Sequence, residues 1–109
     1  MIRINIYAVN RNCHDFQQAA NMGKLIFMSK GSMDKFNVSK MYRTFFEFLD
    51  ESKPEDYILV SGLTNMNIVA CSIFANKHNR LNILLWDSKK ATYIDESLFF
   101  DNYKFKKEI

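Results

Sequence analysis

The sequence LVSGLTNMN at residues 59–67 combines hydroxyl, amide and glycine residues at the end of an apolar run. Gly62 would allow a ligand to approach the backbone closely. A helix beginning here would offer free N–H groups and the positive end of its dipole. The segment therefore predicts a site for an anionic or carbonyl-bearing group. The alternative is that Ser61, Thr64 or Asn65 simply caps the helix.

Three further polar segments follow predicted strands, at residues 10–12, 29–32 and 87–88. The C-terminal ends of parallel strands lie along one edge of a sheet, and ligands bind in the crevice where the strand order reverses. Hydroxyl and amide groups can hydrogen-bond a ligand there without acid–base chemistry. We therefore expect a ligand-binding crevice formed by Asn10, Arg11, Ser29, Lys30, Ser61, Gly62, Thr64, Asn65, Asn67 and Asp87.

One family resemblance starts from the same segment. The sequence SGLTNM at residues 61–66, the small-residue helix after it and a strand ending in Trp86 and Asp87 resemble the second half of CARF domains. Their motif reads roughly Thr/Ser-Gly-Gly-Thr-Lys-x-Met, and this chain departs from it at Leu63 and Asn65. CARF domains are Rossmann-like sensors of cyclic oligonucleotides. The resemblance implies a ligand sensor or a scavenger of signalling nucleotides.

Catalysis has one candidate, the consecutive residues Cys13, His14 and Asp15 as nucleophile, base and orienting group. Sequence neighbours rarely point at each other, and such triads assemble from distant segments. The chain has no glycine-rich dinucleotide motif and no phosphate-loop motif. We therefore expect no catalytic residue, no metal and no cofactor, and we keep an enzyme built on Cys13 and His14 as an alternative.

Two other polar residues have simple structural interpretations. His78 follows Lys77 at a predicted helix C-terminus, where the dipole favours a cation. Asp87 could bind a metal or a ribose hydroxyl, but a role in a turn is expected.

The elements that position these residues follow from hydrophobic periodicity. Alternation and short apolar runs predict strands at residues 2–9, 25–28, 57–60, 81–86 and 91–94. Helices are predicted at residues 13–21, from a cap at Asn37 or Ser39 to before Pro54, and at residues 65–77. Strands that alternate with helices imply right-handed crossovers. The predicted fold is α/β, a Rossmann-like three-layer sandwich with a mainly parallel sheet of four to five strands and about three helices.

Apolar side chains of the second helix form a stripe that should face the sheet, formed by Val38, Met41, Phe45, Phe48 and Leu49. Met33, Tyr42 and Phe46 lie off this stripe, and exposed aromatic and Met side chains are enriched at protein-binding patches. We expect one domain at residues 1–98 and an aromatic, basic tail at residues 99–109 that docks on the domain or on a partner.

The amino-acid composition argues against several classes of protein. The 109 residues carry a formal net charge of +3, too mild for a dedicated nucleic-acid binder. Two cysteines do not make a disulfide framework, and no stretch resembles a signal peptide or a membrane span. A cytoplasmic location is expected. The scarcity of Gly and Pro beside many Lys and Asn is typical of AT-rich genomes, and compact proteins of this composition are common in bacteriophages.

These observations predict a non-enzymatic accessory protein of phage type that acts by binding another protein or by self-association. The first alternative is a binder or scavenger of an anionic small molecule or a cyclic nucleotide that uses the crevice. The second is the enzyme built on Cys13 and His14.

Overall fold

The computed structural model describes residues 3–11 and 16–100. Within these ranges the chain is a mixed α/β protein with three helices and a five-stranded sheet. The elements in chain order are β1 (Asn5–Ala8), α1 (Gln17–Ala20), β2 (Lys24–Phe27), α2 (Val38–Leu49), β3 (Tyr57–Leu59), α3 (Thr64–His78), β4 (Arg80–Asp87) and β5 (Thr92–Phe99).

The sheet has the strand order β2-β1-β3-β4-β5. The first four strands are parallel, and β5 runs antiparallel to β4. The prediction of a mostly parallel sheet is confirmed, and the finer assignment to a Rossmann-like sandwich stays a prediction. The strand order reverses beside β1, so the loops after β1 and β3 flank the position where a crevice is expected.

Strand β1 shows how the core is divided between the two faces of the sheet. Ile6 and Ala8 point into a cluster that includes residues around α1. Tyr7 and Val9 point the other way, into a larger cluster with α2 and α3. All four side chains are buried, so the alternation predicted for this strand serves two apolar cores rather than a core and solvent.

Helix α2 begins where Asn37 can cap it. The Asn37 side chain accepts a hydrogen bond from the backbone N–H of Lys40 at 3.1 Å. Of the two predicted caps, Asn37 and Ser39, the helix therefore uses Asn37. Met41, Phe45 and Leu49 are fully buried at steps of four residues. This line holds α2 on the sheet.

The prediction that Val38 and Phe48 also face inward is wrong. Both side chains are exposed. Successive helical residues are about 100° apart, which puts Phe48 about 60° around the helix from the middle of the buried residues, and Val38 only about 20° from it. Phe48 thus lies to one side of the buried residues, whereas Val38 is the first residue of α2 and precedes Met41, where the buried part of the helix begins.

Helix α1 covers only part of the predicted range 13–21, of which residues 13–15 lie outside the described residues. Gly23 follows this helix, and its φ is not positive, so it is not a left-handed residue that ends the helix. The reason for glycine is steric, because a Cβ atom here would lie 2.7 Å from the backbone oxygen of Ile4.

Strand β5 is longer than the predicted 91–94 and pairs with β4 along its whole length, from Thr92 opposite Asp87 to Phe99 opposite Arg80. Its central residues Asp95 and Glu96 are poor strand formers by themselves, so the cross-strand pairing determines the structure. Phe99 is the last residue of this strand. Residues 101–109 lie outside the described residues, and the docking of a tail stays a prediction.

Candidate functional site

The loops after β1 and β2 meet through a buried amide. The Nδ2 atom of Asn10 donates to Ser29 Oγ at 2.9 Å and to the Gly31 carbonyl at 3.0 Å. Ser29 Oγ in turn donates to the Val9 carbonyl at 2.6 Å. The backbone N–H of Arg11 donates to the Ser29 carbonyl at 2.9 Å. These predicted site residues therefore lie together, but their polar groups bind one another and join the two loops.

The loop after β3 is organised in the same way by Asn67, which is buried in the first turns of α3. Its Nδ2 donates to the carbonyls of Ser61 and Leu63, each at 2.9 Å. The N-cap residue of α3 is Leu63, so none of Ser61, Thr64 and Asn65 is the cap that the alternative interpretation required. Asn67 thus holds the loop from inside the helix, and it does so as a donor to loop carbonyls and not as a helix cap.

Asn65 connects this loop to the segment before α2. Its Nδ2 donates to the Lys35 carbonyl at 2.7 Å. Thr64 is exposed at the start of the helix. Gly62 is also exposed, and a Cβ atom added to it would have no heavy atom within 4 Å. Gly62 is therefore not needed for packing within the described residues.

Two concavities lie on either side of Gly62. The larger, of about 580 Å³, is lined mainly by apolar and aromatic residues, Phe16, Gln18, Leu59, Val60, Ser61, Gly62, Leu85, Trp86 and Tyr93. The smaller, of about 390 Å³, is lined by Met33, Lys35, Phe36, Gly62, Leu63, Thr64, Asn65 and Met66. The expected crevice is thus divided, and the Asn10–Ser29 pair lines neither part.

The last predicted site residue, Asp87, lies in the β4–β5 hairpin. Its Oδ1 accepts hydrogen bonds from the backbone N–H groups of Lys89 at 3.0 Å and Lys90 at 3.3 Å. These bonds close the turn. Beside it, the rings of Trp86 and Tyr93 pack edge to face with centroids 5.1 Å apart. Asp87 therefore orders the rim of the larger concavity.

The cysteine-based alternative cannot be placed, because Cys13, His14 and Asp15 lie outside the described residues. Cys71 is described and packs against the larger core cluster. Burial raises the pKa of its thiol to about 11. Cys71 is therefore protonated at neutral pH and is not a nucleophile.

Ser52 and His78 form a pair that no spacing or motif in the sequence predicts. Ser52 Oγ lies 2.8 Å from His78 Nε2, and a serine beside an imidazole can be a nucleophile with its base. Ser52, however, is buried and donates to the Leu49 carbonyl at 2.6 Å. Because the Ser52 proton is used in that bond, the imidazole N–H is the donor to Ser52 Oγ. The pair therefore joins the segment after α2 to the end of α3, and His78 does not activate Ser52 as a nucleophile.

His78 also differs from its predicted role as a cation. Burial lowers the pKa of its imidazole, and the adjacent positive charge of Lys77 lowers it further. The ring packs on Phe74 with centroids 4.5 Å apart. The neutral form is therefore favoured at this helix end, where Lys77 supplies the cation.

Two other kinds of site, a metal site and a membrane-spanning helix, are absent from the described ranges. In residues 3–11 and 16–100, no three His, Cys, Asp or Glu side chains come close enough together to hold a metal ion. No helix in the same ranges combines the length and the apolar character needed to cross a bilayer.

Several exposed apolar side chains of the described chain lie together on α2 and α3. Val38, Tyr42 and Phe46 of α2 and Ile68 of α3 are 50%, 52%, 44% and 59% exposed. We call these four residues the helical surface. The Tyr42 and Phe46 rings lie 5.7 Å apart between centroids. Concavities of about 290 and 450 Å³ run along the boundary between the helices, and Tyr42 lines both.

Comparison with known proteins adds one finding. A family model described as phage Pam3 gp32-like protein matches residues 5–98, from the start of β1 almost to the end of β5. The chain belongs to this family. No curated protein and no solved structure matches it.

Membership of the phage Pam3 gp32-like family confirms the expectation of a small phage-type protein. The match includes both the crevice loops and the helical surface. The sequence had separated Tyr42 and Phe46 from the inward stripe, since they are four residues apart and off its line. From sequence, Val38 was assigned to the core, and Ile68 was not singled out. The exposure of Ile68 depends on how α3 packs beside α2.

Proposed function

We propose that this phage-type protein is a non-enzymatic accessory protein that acts by binding another protein through the helical surface. The observation that carries the proposal is the exposure of Tyr42 and Phe46 beside Ile68, together with the concavities between α2 and α3. Aromatic side chains in partly formed pockets are the usual anchors of protein interfaces.

The packing of α2 supports the same interpretation. The helix is held on the sheet by Met41, Phe45 and Leu49, which are fully buried without help from the outer rings. Tyr42 and Phe46 are therefore available to a partner at little cost to the fold. Scattered exposed apolar residues need no explanation, but a contiguous patch indicates an interaction site.

The crevice gives weaker support for ligand binding, because Asn10, Ser29 and Asn67 already have hydrogen-bond partners in the chain. One observation still favours a second candidate function. Gly62 faces open space between two concavities, and Lys35 lines the smaller one. An anionic small molecule or a cyclic nucleotide, as the CARF resemblance implies, is the ligand of this second candidate.

The proposal is tested by comparing capture of proteins by the wild type and by surface variants, in extracts of the cells in which the protein is normally made. Tyr42→Lys and Phe46→Lys place a charge in the helical surface, and Leu98→Lys is the matched control on β5, where Leu98 is similarly exposed. We expect a protein captured by the wild type and by the control to be lost with both helical variants. Equal capture by all four proteins would refute the proposal.

A further inference from the structure

The charges on the outer side of α2 change sign along the helix. Lys40 and Arg43 are exposed in its first half, whereas Glu47 is exposed in its second half and Asp50 directly follows its end. No acidic residue lies in the first turn, and no basic residue lies in the last turn. The order is the reverse of the one that the helix dipole favours.

The partial negative charge at the C-terminal end of α2 is compensated by a lysine of the same chain. The Nζ atom of Lys77 on α3 donates to the carbonyls of Leu49, at 3.4 Å, and of Asp50. At the other end, Asn37 supplies a neutral cap. An acidic group brought beside the basic first half by a partner would therefore be favourable.

A second α2 helix lying antiparallel would bring such a group. We place a two-fold axis midway between Tyr42 and Phe46, so that Tyr42 of each copy meets Phe46 of the other. At a rise of about 1.5 Å per residue, Arg43 of one copy and Glu47 of the other then differ by only about 3 Å in their positions along the helix direction. The symmetry makes this contact twice, with the oppositely directed dipoles side by side.

We infer that the partner on the helical surface is a second copy of this chain, with the two α2 helices antiparallel and Arg43 paired with Glu47 across the interface. The inference rests on the proposed function and names its partner. Next to Tyr42 and Phe46 in the sequence of α2 stand the basic Arg43 and the acidic Glu47, so a second α2 running antiparallel offers each of these charges its opposite.

Among the described strands β5 stands at one edge of the sheet, and this edge is the competing surface for self-association. Symmetric antiparallel pairing centred on β5 would put Asp95 and Glu96 near the same residues of the second copy. Like charges opposite each other destabilise paired strands, and charges on an edge strand discourage such pairing. The charge pattern thus disfavours β5 and favours α2.

The test is a charge swap in the full-length chain. Sedimentation velocity over a roughly hundredfold concentration range measures the dimer fraction of the wild type, Arg43→Glu, Glu47→Arg and the double variant. Each single variant places like charges opposite each other at both symmetric contacts. We therefore expect its dimer dissociation constant to rise about tenfold or more. The double variant restores opposite charges, and we expect it to recover most of the association. Leu98→Lys is the control that should dimerise like the wild type.

Each outcome decides the inference. A wild type that stays monomeric at every concentration would overturn it, and the proposed function would still stand if protein capture is lost with Tyr42→Lys. A dimer unaffected by the single variants, or not recovered in the double variant, would also overturn the inference, because the contact would lie elsewhere. Circular dichroism of each variant confirms that it is folded.

Discussion

Two neighbouring phenylalanines on α2 should differ sharply in their contribution to stability. Phe45 is fully buried in the larger core cluster, whereas Phe46 is 44% exposed on the helical surface. Phe45→Ala removes a ring from a close-packed core and leaves a cavity, so it should cost about 3–5 kcal/mol of unfolding free energy. The helix preference changes equally in the two variants, because both replace Phe by Ala within the same helix.

Phe46→Ala loses only the part of the ring that is buried in the single chain. Full burial of a Phe side chain contributes about 1.5–3 kcal/mol, so a roughly half-buried ring should contribute about 1 kcal/mol. Urea unfolding at low protein concentration, where association contributes least, measures both values. Equal losses for the two variants, or a loss below about 1 kcal/mol for Phe45→Ala, would show that α2 does not face the sheet as described.

Three further predictions concern the polar and reactive residues. Because the folded-state pKa of His78 is lowered, the unfolded chain takes up the proton first as pH falls, and His78 contributes a loss of stability below its ordinary pKa. Unfolding of His78→Gln should therefore depend less on pH between about 7.5 and 5.5 than that of the wild type, and parallel curves would contradict this. In a Cys13→Ser background, Cys71 should react with a thiol reagent far more slowly than free cysteine at neutral pH, since its pKa is about 11. A free-thiol rate would refute its burial. Gly62→Val should change the unfolding free energy by less than about 1 kcal/mol, because the added side chain enters open space. If wild-type melting rises with any of a panel of nucleotides, this variant should lose that rise, and absence of a rise in the wild type would remove the second candidate function.

The parts of the fold that depend on local pattern were predictable from sequence. The steps of four from Met41 to Leu49 placed α2, and Asn37 marked its start. The apolar run before Ser61 placed β3. In each case the residues that define the element lie within a few positions of one another, so their spacing carries the information.

The parts that depend on distant residues were not predictable. Asp95 and Glu96 belong to β5 because β4 pairs with them, and no local signal indicates that pairing. Gly23 is required by the backbone of Ile4, nineteen positions earlier, and not by a helix end. Val38 has the residue type of a core position, but the buried part of α2 begins only at Met41, so Val38 is exposed.

The candidate site shows the same division. Sequence placed Asn10 and Ser29 after the C-terminal ends of two predicted strands, and they do lie together. Their hydrogen-bond partners depend on how the two loops approach each other. The spacing could not show that Asn67 would bind its own loop, which leaves less of the crevice for a ligand.

The central claim, that the helical surface binds protein, is tested most directly by a photo-reactive amino acid placed at Phe46, with the same residue at Leu98 as the control. The crosslinking is carried out in the cells in which the protein is normally made, and the adducts are identified by mass spectrometry. The account predicts a defined protein adduct from position 46, lost when Tyr42→Lys is added, and none of that adduct from position 98. Defined adducts from position 98 alone, or adducts from position 46 that persist with Tyr42→Lys, would contradict it.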